Sequence, residues 1–412
     1  MARTMNILFV CEYEWLQSVV FDIHMMAEGL SLRGHNVYAV DYEWDDNSRI
    51  RFGTRQIDKA ARIYPEARVM LLRPGFVRIR LKRPFHVNLL PLEYLTTMIT
   101  HHLELNRILR EKNIDVIVLY SVLTNGMSTI RLGKKYRVPV VHRNIDMLHK
   151  VVPNPVKRAM TKFFEKRVYP QVDKLLALTP AYRDYVVGLS ADEAKTSLLL
   201  FPIDQNIFHP GIDSSDLRRK WEISEEDSII TFIGGLYRFG ALQELISCFP
   251  EVIREIPNAK LVIVGDGPAR PDLEQTVAKL GLSSNVIITG PQPFLDMPKY
   301  INMADICVNA FPTRGFTRDV FSAKILQYLA CGKPTVSSAL TGISCVISGE
   351  ECGVIYADSV DDIVRELVAL LKSPEKRAIL GQAGLEYINK FHLQDNIVEQ
   401  METAIKTTVA SK

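Results

Sequence analysis

The stretch AKLVIVGDGP at positions 259–268 decides the fold. Its apolar run, Lys260–Val264, reads as a short buried strand, and Gly265-Asp266-Gly267-Pro268 stops it at once. Small residues at that point let a ligand approach the backbone where a strand feeds a helix. The same device occurs upstream, where the strand Ile229–Phe232 leads into Gly234 and Gly235, and a helix follows over Ala241–Glu255. Downstream the alternation continues. A helix spans 271–280, a strand Val286–Thr289, a helix 297–303, a strand Ile306–Asn309, a helix Lys324–Ala330 and a strand Thr335–Ser337. Helices near 359–372 and 375–390 close the pattern.

The first half repeats it. Strand Asn6–Val10 precedes a helix over 18–33, whose Val19, Val20, Ile23, Met26, Ala27 and Leu30 recur at helical spacing. Gly34 ends that helix and His35–Val40 is the next strand. Strand Asp115–Tyr120, a helix to Tyr136, strands Val138–His142 and Lys174–Leu178, and a helix over Ala181–Leu189 follow. Alternation of this kind predicts α/β architecture with parallel sheets covered on both faces. Two doubly wound, Rossmann-like domains are expected in series, with the join near Pro202–Pro210. In such sheets ligands lie at the carboxyl ends of strands, so a site facing the cleft between domains is the natural expectation.

Composition is that of a globular chain: 412 residues, 47% apolar and 24% charged. Six cysteines are scattered without a C-x-x-C pair, as in a reduced, cytoplasmic protein. Asn6–Cys11 is too short and too soon followed by Glu12 and Glu14 to act as a secretory signal. No apolar run approaches the ~18 residues of a membrane span. The net charge of +3 hides an asymmetry, because residues 1–200 carry 30 Lys and Arg against 20 Asp and Glu. The excess concentrates in 49–83, with 11 basic residues against Asp58 and Glu66. One-signed fields attract anions or an anionic membrane surface; a solvated face is the plainer alternative. Within it, Arg73–Phe85 alternates charged and apolar side chains, which as a strand would place Arg78, Arg80 and Lys82 on one face. No nucleic-acid module is present, so nucleic acid is not an expected partner.

Candidate donor-binding residues follow from the glycine turns. Gly234, Gly235, Gly265 and Gly267 would let a phosphate approach the backbone. Arg238 follows the first pair and can clamp a diphosphate, and Lys324 opens a helix whose N-terminus would reinforce its charge. Asp319 and Gln327 are eight apart across a loop and a helix. Gln327 offers a donor and an acceptor to a ribose diol, and Asp319 can orient a sugar hydroxyl or stabilise positive charge at a sugar carbon. A helix cap is the plainer role for Asp319.

These segments resemble glycosyltransferase family 4, the retaining nucleotide-sugar transferases of GT-B fold. The match runs through FIGGL (232–236), AKLVIVGDGP, VIITG (286–290), MPKYINMADICV (297–308) and YLACGKP (328–334). The first domain shows MNILFV (5–10), LRGHNV (32–37), DVI (115–117) and FPID (201–204), and the likeness is weakest across 45–100. The resemblance implies residues 1–205 as acceptor-side domain, 206–390 as nucleotide-sugar donor domain, and 391–412 as a helix packing back toward the first. It places the family's two glutamates at Asp319 and Gln327, the first supporting the donor sugar and the second the ribose. Its diphosphate arginine falls at Gly235, its lysine has no clean match, and Arg238 is the local substitute. Gln17 and Ser18 stand where the family has a glycine pair. Tyr120 stands where a histidine is common, and Ile145 precedes Asp146 where another is usual. Asp146 and nearby His142 are the remaining catalytic candidates.

The implied activity is transfer of a hexosyl group from a nucleoside diphosphate to an acceptor hydroxyl with retention, in cell-surface polysaccharide, glycolipid or glycoconjugate synthesis. The transition state would resemble an oxocarbenium ion leaving a diphosphate, which cations and backbone amides stabilise. No cofactor or metal is expected, since no Asp-x-Asp follows a strand end. A lipid-linked or otherwise anionic acceptor fits the basic first domain, with a cytoplasmic enzyme peripheral to the inner membrane face. A GT-B nucleotide-sugar epimerase and a catalytically inactive nucleotide-sugar-binding subunit are the alternatives.

Overall fold

The computed structural model describes all residues except 1–2, 18, 44–48, 52, 79–89, 153 and 314, together with the backbone alone at 49, 78, 90–94 and 316. The chain divides into two compact units, Met1–Pro202 with Asp395–Lys412, and Ile203–Gln394.

In the first unit the strands are β1 (Asn6–Val10), β2 (Asn36–Val40), β3 (Arg49–Arg51), β4 (Arg55–Ile57), β5 (Val69–Arg73), β6 (Phe76–Arg78), β7 (Val116–Leu119), β8 (Val140–Asn144), β9 (Lys174–Ala177) and β10 (Thr196–Leu198). Eight of them form one sheet in the order β10-β9-β8-β7-β1-β2-β5-β4. It is parallel throughout except for β4, which runs antiparallel to β5. β3 and β6 make a separate antiparallel pair. The helices are α1 (Asp22–Leu32), α2 (Leu90–Glu111), α3 (Gly126–Tyr136), α4 (Leu148–Val151), α5 (Pro155–Val168) and α6 (Pro180–Leu189). Every residue of β7 and β8 is buried, as parallel strands covered on both faces require.

The second unit carries β11 (Ser228–Ile233), β12 (Ala259–Val264), β13 (Val286–Gly290), β14 (Ile306–Asn309), β15 (Thr335–Ser338) and β16 (Val354–Ala357). They form an all-parallel sheet in the order β13-β12-β11-β14-β15-β16. Its helices are α7 (Ser215–Lys220), α8 (Leu242–Glu255), α9 (Arg270–Lys279), α10 (Met297–Met303), α11 (Lys324–Ala330), α12 (Thr341–Ser344), α13 (Val360–Leu371) and α14 (Pro374–Phe391); α15 (Gln394–Ala410) follows. Leu245, Phe249 and Val252 of α8 are fully buried, packing with Leu367 of α13 and Leu261 of β12 in one apolar cluster. The strand order reverses between β1 and β7 in the first unit and between β11 and β14 in the second. At such a switch point the adjoining loops splay apart and leave room for a ligand.

Several elements depart from the sequence reading. α1 starts at Asp22 rather than 18, and β8 starts at Val140 rather than Val138. The long α2, the basic α5 and the short strand β16 were not anticipated. α2 and α5 are hard to read from sequence because each exposes apolar residues among charged ones, which blurs the helical period.

Candidate donor site

In the second unit the loops after β11, β12 and β13 are laced together by backbone hydrogen bonds. Gly234 donates to the Val264 carbonyl at 2.9 Å, Gly265 to Gly290 at 3.1 Å, and Leu236 to Asp266 at 2.9 Å. The approach is too close for side chains. A Cβ on Gly265, whose φ is +145°, would collide with the Gly234 carbonyl oxygen, and one on Gly267 with that of Leu236. Glycine is required at 265 twice over, for backbone conformation and for space.

Lys324, the first residue of α11, points into this assembly. Its Nζ lies 4.1 Å from the centre of the Phe232 ring and 4.9 Å from that of Phe311. A Cβ on Gly234 would sit 2.7 Å from the same Nζ. Burial lowers its pKa to about 7, and no carboxylate among the described residues offsets that burial. A cation is thus held by aromatic faces beside a bare glycine backbone, at the switch point of the sheet.

The loop leading to α11 is pinned from beneath. Ser322 Oγ donates to Asn309 Oδ1 at 2.8 Å, Asn309 Nδ2 to Ser337 Oγ at 3.0 Å, and Phe311 N to Ser338 Oγ at 3.0 Å. These buried polar side chains fix the carboxyl ends of β14 and β15 to the segment between Asp319 and Lys324. Asp319 ends a 3-10 turn, Gly315–Asp319, and is partly exposed; Gln327 is half-buried one turn beyond Lys324.

The structure brings Gly234, Gly265, Gly267 and Lys324 together. Arg238 lies to one side: its Nε donates to the Pro268 carbonyl at 3.3 Å, its Nη2 is 3.3 Å from Asp272, and its side chain is 70% exposed. Gly235 is covered by the Tyr237 ring, which stacks on Phe239 with centroids 4.9 Å apart. The sequence reading missed the aromatic lining of Phe232, Phe311, Tyr237 and Phe239. The signal available for it was an aromatic residue on each flank of the Gly234-Gly235 turn.

In the first unit the two catalytic candidates, His142 and Asp146, stand in different settings. His142 is in the middle of the fully buried strand β8, its ring centre 5.2 Å from that of Tyr169, and burial lowers its pKa to about 3. It is a buried residue of the sheet, two positions before the carboxyl end of β8. Asp146 lies just beyond the carboxyl end of β8, and burial raises its pKa to about 7. Its charge reaches Tyr13 and Tyr185.

Tyr120 does not stand free where a histidine was expected. Its hydroxyl donates to Asp22 Oδ1 at 2.6 Å, and Arg143 Nη2 donates to Asp22 Oδ2 at 2.7 Å. Arg143 also donates to the carbonyls of Leu199 and Leu200. This fully buried network sits at the β1/β7 switch point and holds the start of α1 against β8.

Two members of the wider basic stretch 49–83 are paired with carboxylates. Arg73 is buried and paired with Asp41 at 2.8 Å and with Glu14, so it contributes nothing to a solvent-facing cationic surface. Arg51 likewise pairs with Glu43. Arg78 ends β6, its backbone opposite Arg49, while Arg80 and Lys82 lie outside the described residues.

The two doubly wound sheets, each with its switch point, place the chain in the GT-B class. Solved structures of that class align over nearly the whole chain. Sucrose-phosphate synthase from Thermosynechococcus elongatus matches with a TM-score of 0.76 at 16% identity, covering 99% of this chain and 100% of the other. Anabaena HepE, solved in complex with UDP-glucose, matches with a TM-score of 0.70 at 16% identity, covering 99% and 100%. At that identity the likeness speaks to fold alone.

Sequence models locate the family: a glycosyl transferase 4-like domain matches residues 20–200 and glycosyl transferases group 1 matches 227–373. The chain belongs to glycosyltransferase family 4. Among curated relatives, a D-inositol 3-phosphate glycosyltransferase of Segniliparus rotundus is 24% identical over 275 residues, 63% of this chain and 58% of the relative. An N-acetyl-alpha-D-glucosaminyl L-malate synthase of Bacillus anthracis is 23% identical over 69% of this chain and 80% of the relative. A GDP-mannose-dependent alpha-(1-6)-phosphatidylinositol monomannoside mannosyltransferase of Mycolicibacterium smegmatis is 30% identical over 44% and 48%. The chain thus spans a little over half the length of the first of these and about half of the last.

Proposed function

We infer that this protein transfers a hexosyl group from a nucleoside-diphosphate sugar to an acceptor hydroxyl, with the second unit binding the donor. The observation that carries the reading is Lys324: an ammonium without a carboxylate partner among the described residues, lodged beside Gly234 at the switch point. A diphosphate supplies the charge this group lacks, and the glycine backbone lets its oxygens come within hydrogen-bonding distance of main-chain N–H groups.

As the glycosidic bond to the leaving phosphate breaks, negative charge grows on the diphosphate and positive charge on the sugar carbon. Lys324 answers the first and Asp319 the second. Retention follows if the acceptor attacks from the face the diphosphate leaves, with the departing phosphate taking the acceptor proton. Asp146 is the titratable group of the first unit suited to contact an acceptor hydroxyl, because burial leaves it able to hold a proton near neutral pH. Relatives named for phosphatidylinositol mannoside and diacylglycerol glycolipid synthesis favour a polar-headed lipid or other anionic acceptor, at a membrane face.

Isothermal calorimetry with UDP and GDP, followed by product analysis with the corresponding sugar nucleotides, tests the reading. Micromolar binding of one diphosphate and acceptor-dependent sugar release are expected, with Asp319→Asn losing turnover far more than affinity. Absence of binding to any nucleoside diphosphate would refute it. A binding-only subunit is the second reading, favoured by Tyr120 being committed to Asp22. Tight diphosphate binding without turnover would select it. Product formation without any acceptor would instead indicate an epimerase.

A further inference from the structure

α3 packs on β7 and β8 of the first unit's sheet, and α5 packs against α3. Their solvent-facing charge is of one sign. α5 exposes Lys157, Arg158, Lys162, Lys166 and Arg167, and α3 exposes Arg131, Lys134 and Lys135. α3 contains no acidic residue, and the single acid of α5, Glu165, is turned inward. There it takes hydrogen bonds from Tyr169 at 2.9 Å and Tyr185 at 2.5 Å, and pairs with His149 at 2.7 Å. No exposed carboxylate of either helix therefore neutralises the patch.

Apolar side chains stand among these cations. Val156, Met160 and Phe163 are 69%, 48% and 48% exposed, spaced four and three apart along α5. Arg167 lies over the Phe163 ring at 3.9 Å. Only Thr161, Glu165 and Val168 of this helix are buried, so its docked face is narrow and its cationic and apolar residues share the outward side.

The geometry points to α5, flanked by α3, as the surface by which this protein docks on an anionic phospholipid membrane. A nucleic acid would use the cations and leave Met160 and Phe163 in water. A lipid interface uses both, because lysine and arginine stems lie along the acyl boundary with their charges at the phosphates while the apolar side chains enter between headgroups. The proposal rests on residues of α3 and α5 alone and does not depend on the transferase reading. A chain that binds no nucleotide can still dock, and a soluble enzyme can still bind nucleotide.

The test is flotation of the full chain with vesicles of 30% phosphatidylglycerol in phosphatidylcholine, beside pure phosphatidylcholine. Binding is expected to the anionic vesicles alone and to weaken with salt. Each basic residue near an anionic surface is worth about fivefold in partition. Lys157→Gln, Lys162→Gln and Lys166→Gln together should lower partition about a hundredfold. Met160→Ser with Phe163→Ser should lower it about tenfold or more and leave the remainder fully salt-sensitive. All five positions are exposed, so an unchanged melting temperature controls for folding. Equal binding to neutral vesicles, no binding to either, wild-type partition by the triple variant, or preference for duplex DNA over the anionic vesicles would each overturn the proposal.

Discussion

Lys324 makes a quantitative link between protonation and donor binding. Its pKa stands near 7 in the free protein because burial among Phe232 and Phe311 opposes the charge. A bound diphosphate reverses that balance and holds the ammonium charged, so the pKa rises in the complex. Above pH 7 the free protein has largely lost the proton, and binding must take one up. At pH 8 uptake should approach one proton, and the dissociation constant should rise about tenfold per pH unit until the pKa of the complex is reached. The diphosphate itself is fully ionised over pH 7.5–9, so the slope belongs to the protein.

Calorimetry in two buffers of different ionisation enthalpy reads the uptake directly. Lys324→Met removes the charge but keeps the chain length. It should abolish uptake and weaken binding by roughly 1.5–3 kcal/mol, the range for a charged hydrogen bond. The variant should also be more stable without ligand at neutral pH. In the unfolded chain the amine titrates near 10.5, so wild-type stability rises with pH between about 7 and 10.5, and the two proteins converge above that. The gain at pH 7 is on the order of 2 kcal/mol, after allowance for the part of the side chain that meets solvent. Tight binding by the variant, with no proton uptake by wild type at pH 8, would refute the assignment.

Three further outcomes are expected. Gly265→Ala forces a Cβ onto the Gly234 carbonyl at a φ of +145°, so it should destabilise the second unit by about 2–4 kcal/mol and eliminate nucleotide binding, as read by melting curves with and without diphosphate. Asp22→Asn leaves Arg143 buried without its counter-charge and should cost about 3–5 kcal/mol in urea unfolding, whereas a loss below about 1 kcal/mol would mean the network is not closed. Burial raises the Asp146 carboxyl from 3.8 to about 7, so the stabilisation of its protonated form is complete below pH 4 and lost as pH rises through 7; Asp146→Asn should remove that slope from melting temperature against pH and leave the variant the more stable protein at pH 8.

The architecture was legible because the central strands of both sheets are short apolar runs closed by turns, and helices such as α8 and α13 repeat their apolar residues on one face. β11, β12 and β14 are legible almost to the residue, since burial on both sides makes them near-continuous apolar runs. Gly234, Gly265 and Gly267 of the donor loops were legible for a local reason too: their positive φ favours glycine where those strands end. What a side chain meets across the fold was not. Lys324 reads as a helix-start lysine in sequence, and only packing shows it sheathed in two aromatic rings. His142 reads as a candidate acid or base until β8 places it between two layers of helices. Arg73 and Glu165 count as surface charges in composition, yet both are buried and paired, while α3 and α5 expose eight cations and no acid. Local pattern is set by neighbours a few residues apart and survives in the sequence. Burial, pairing and the sign of a surface are set by residues tens of positions away, brought together only when the sheet orders its strands.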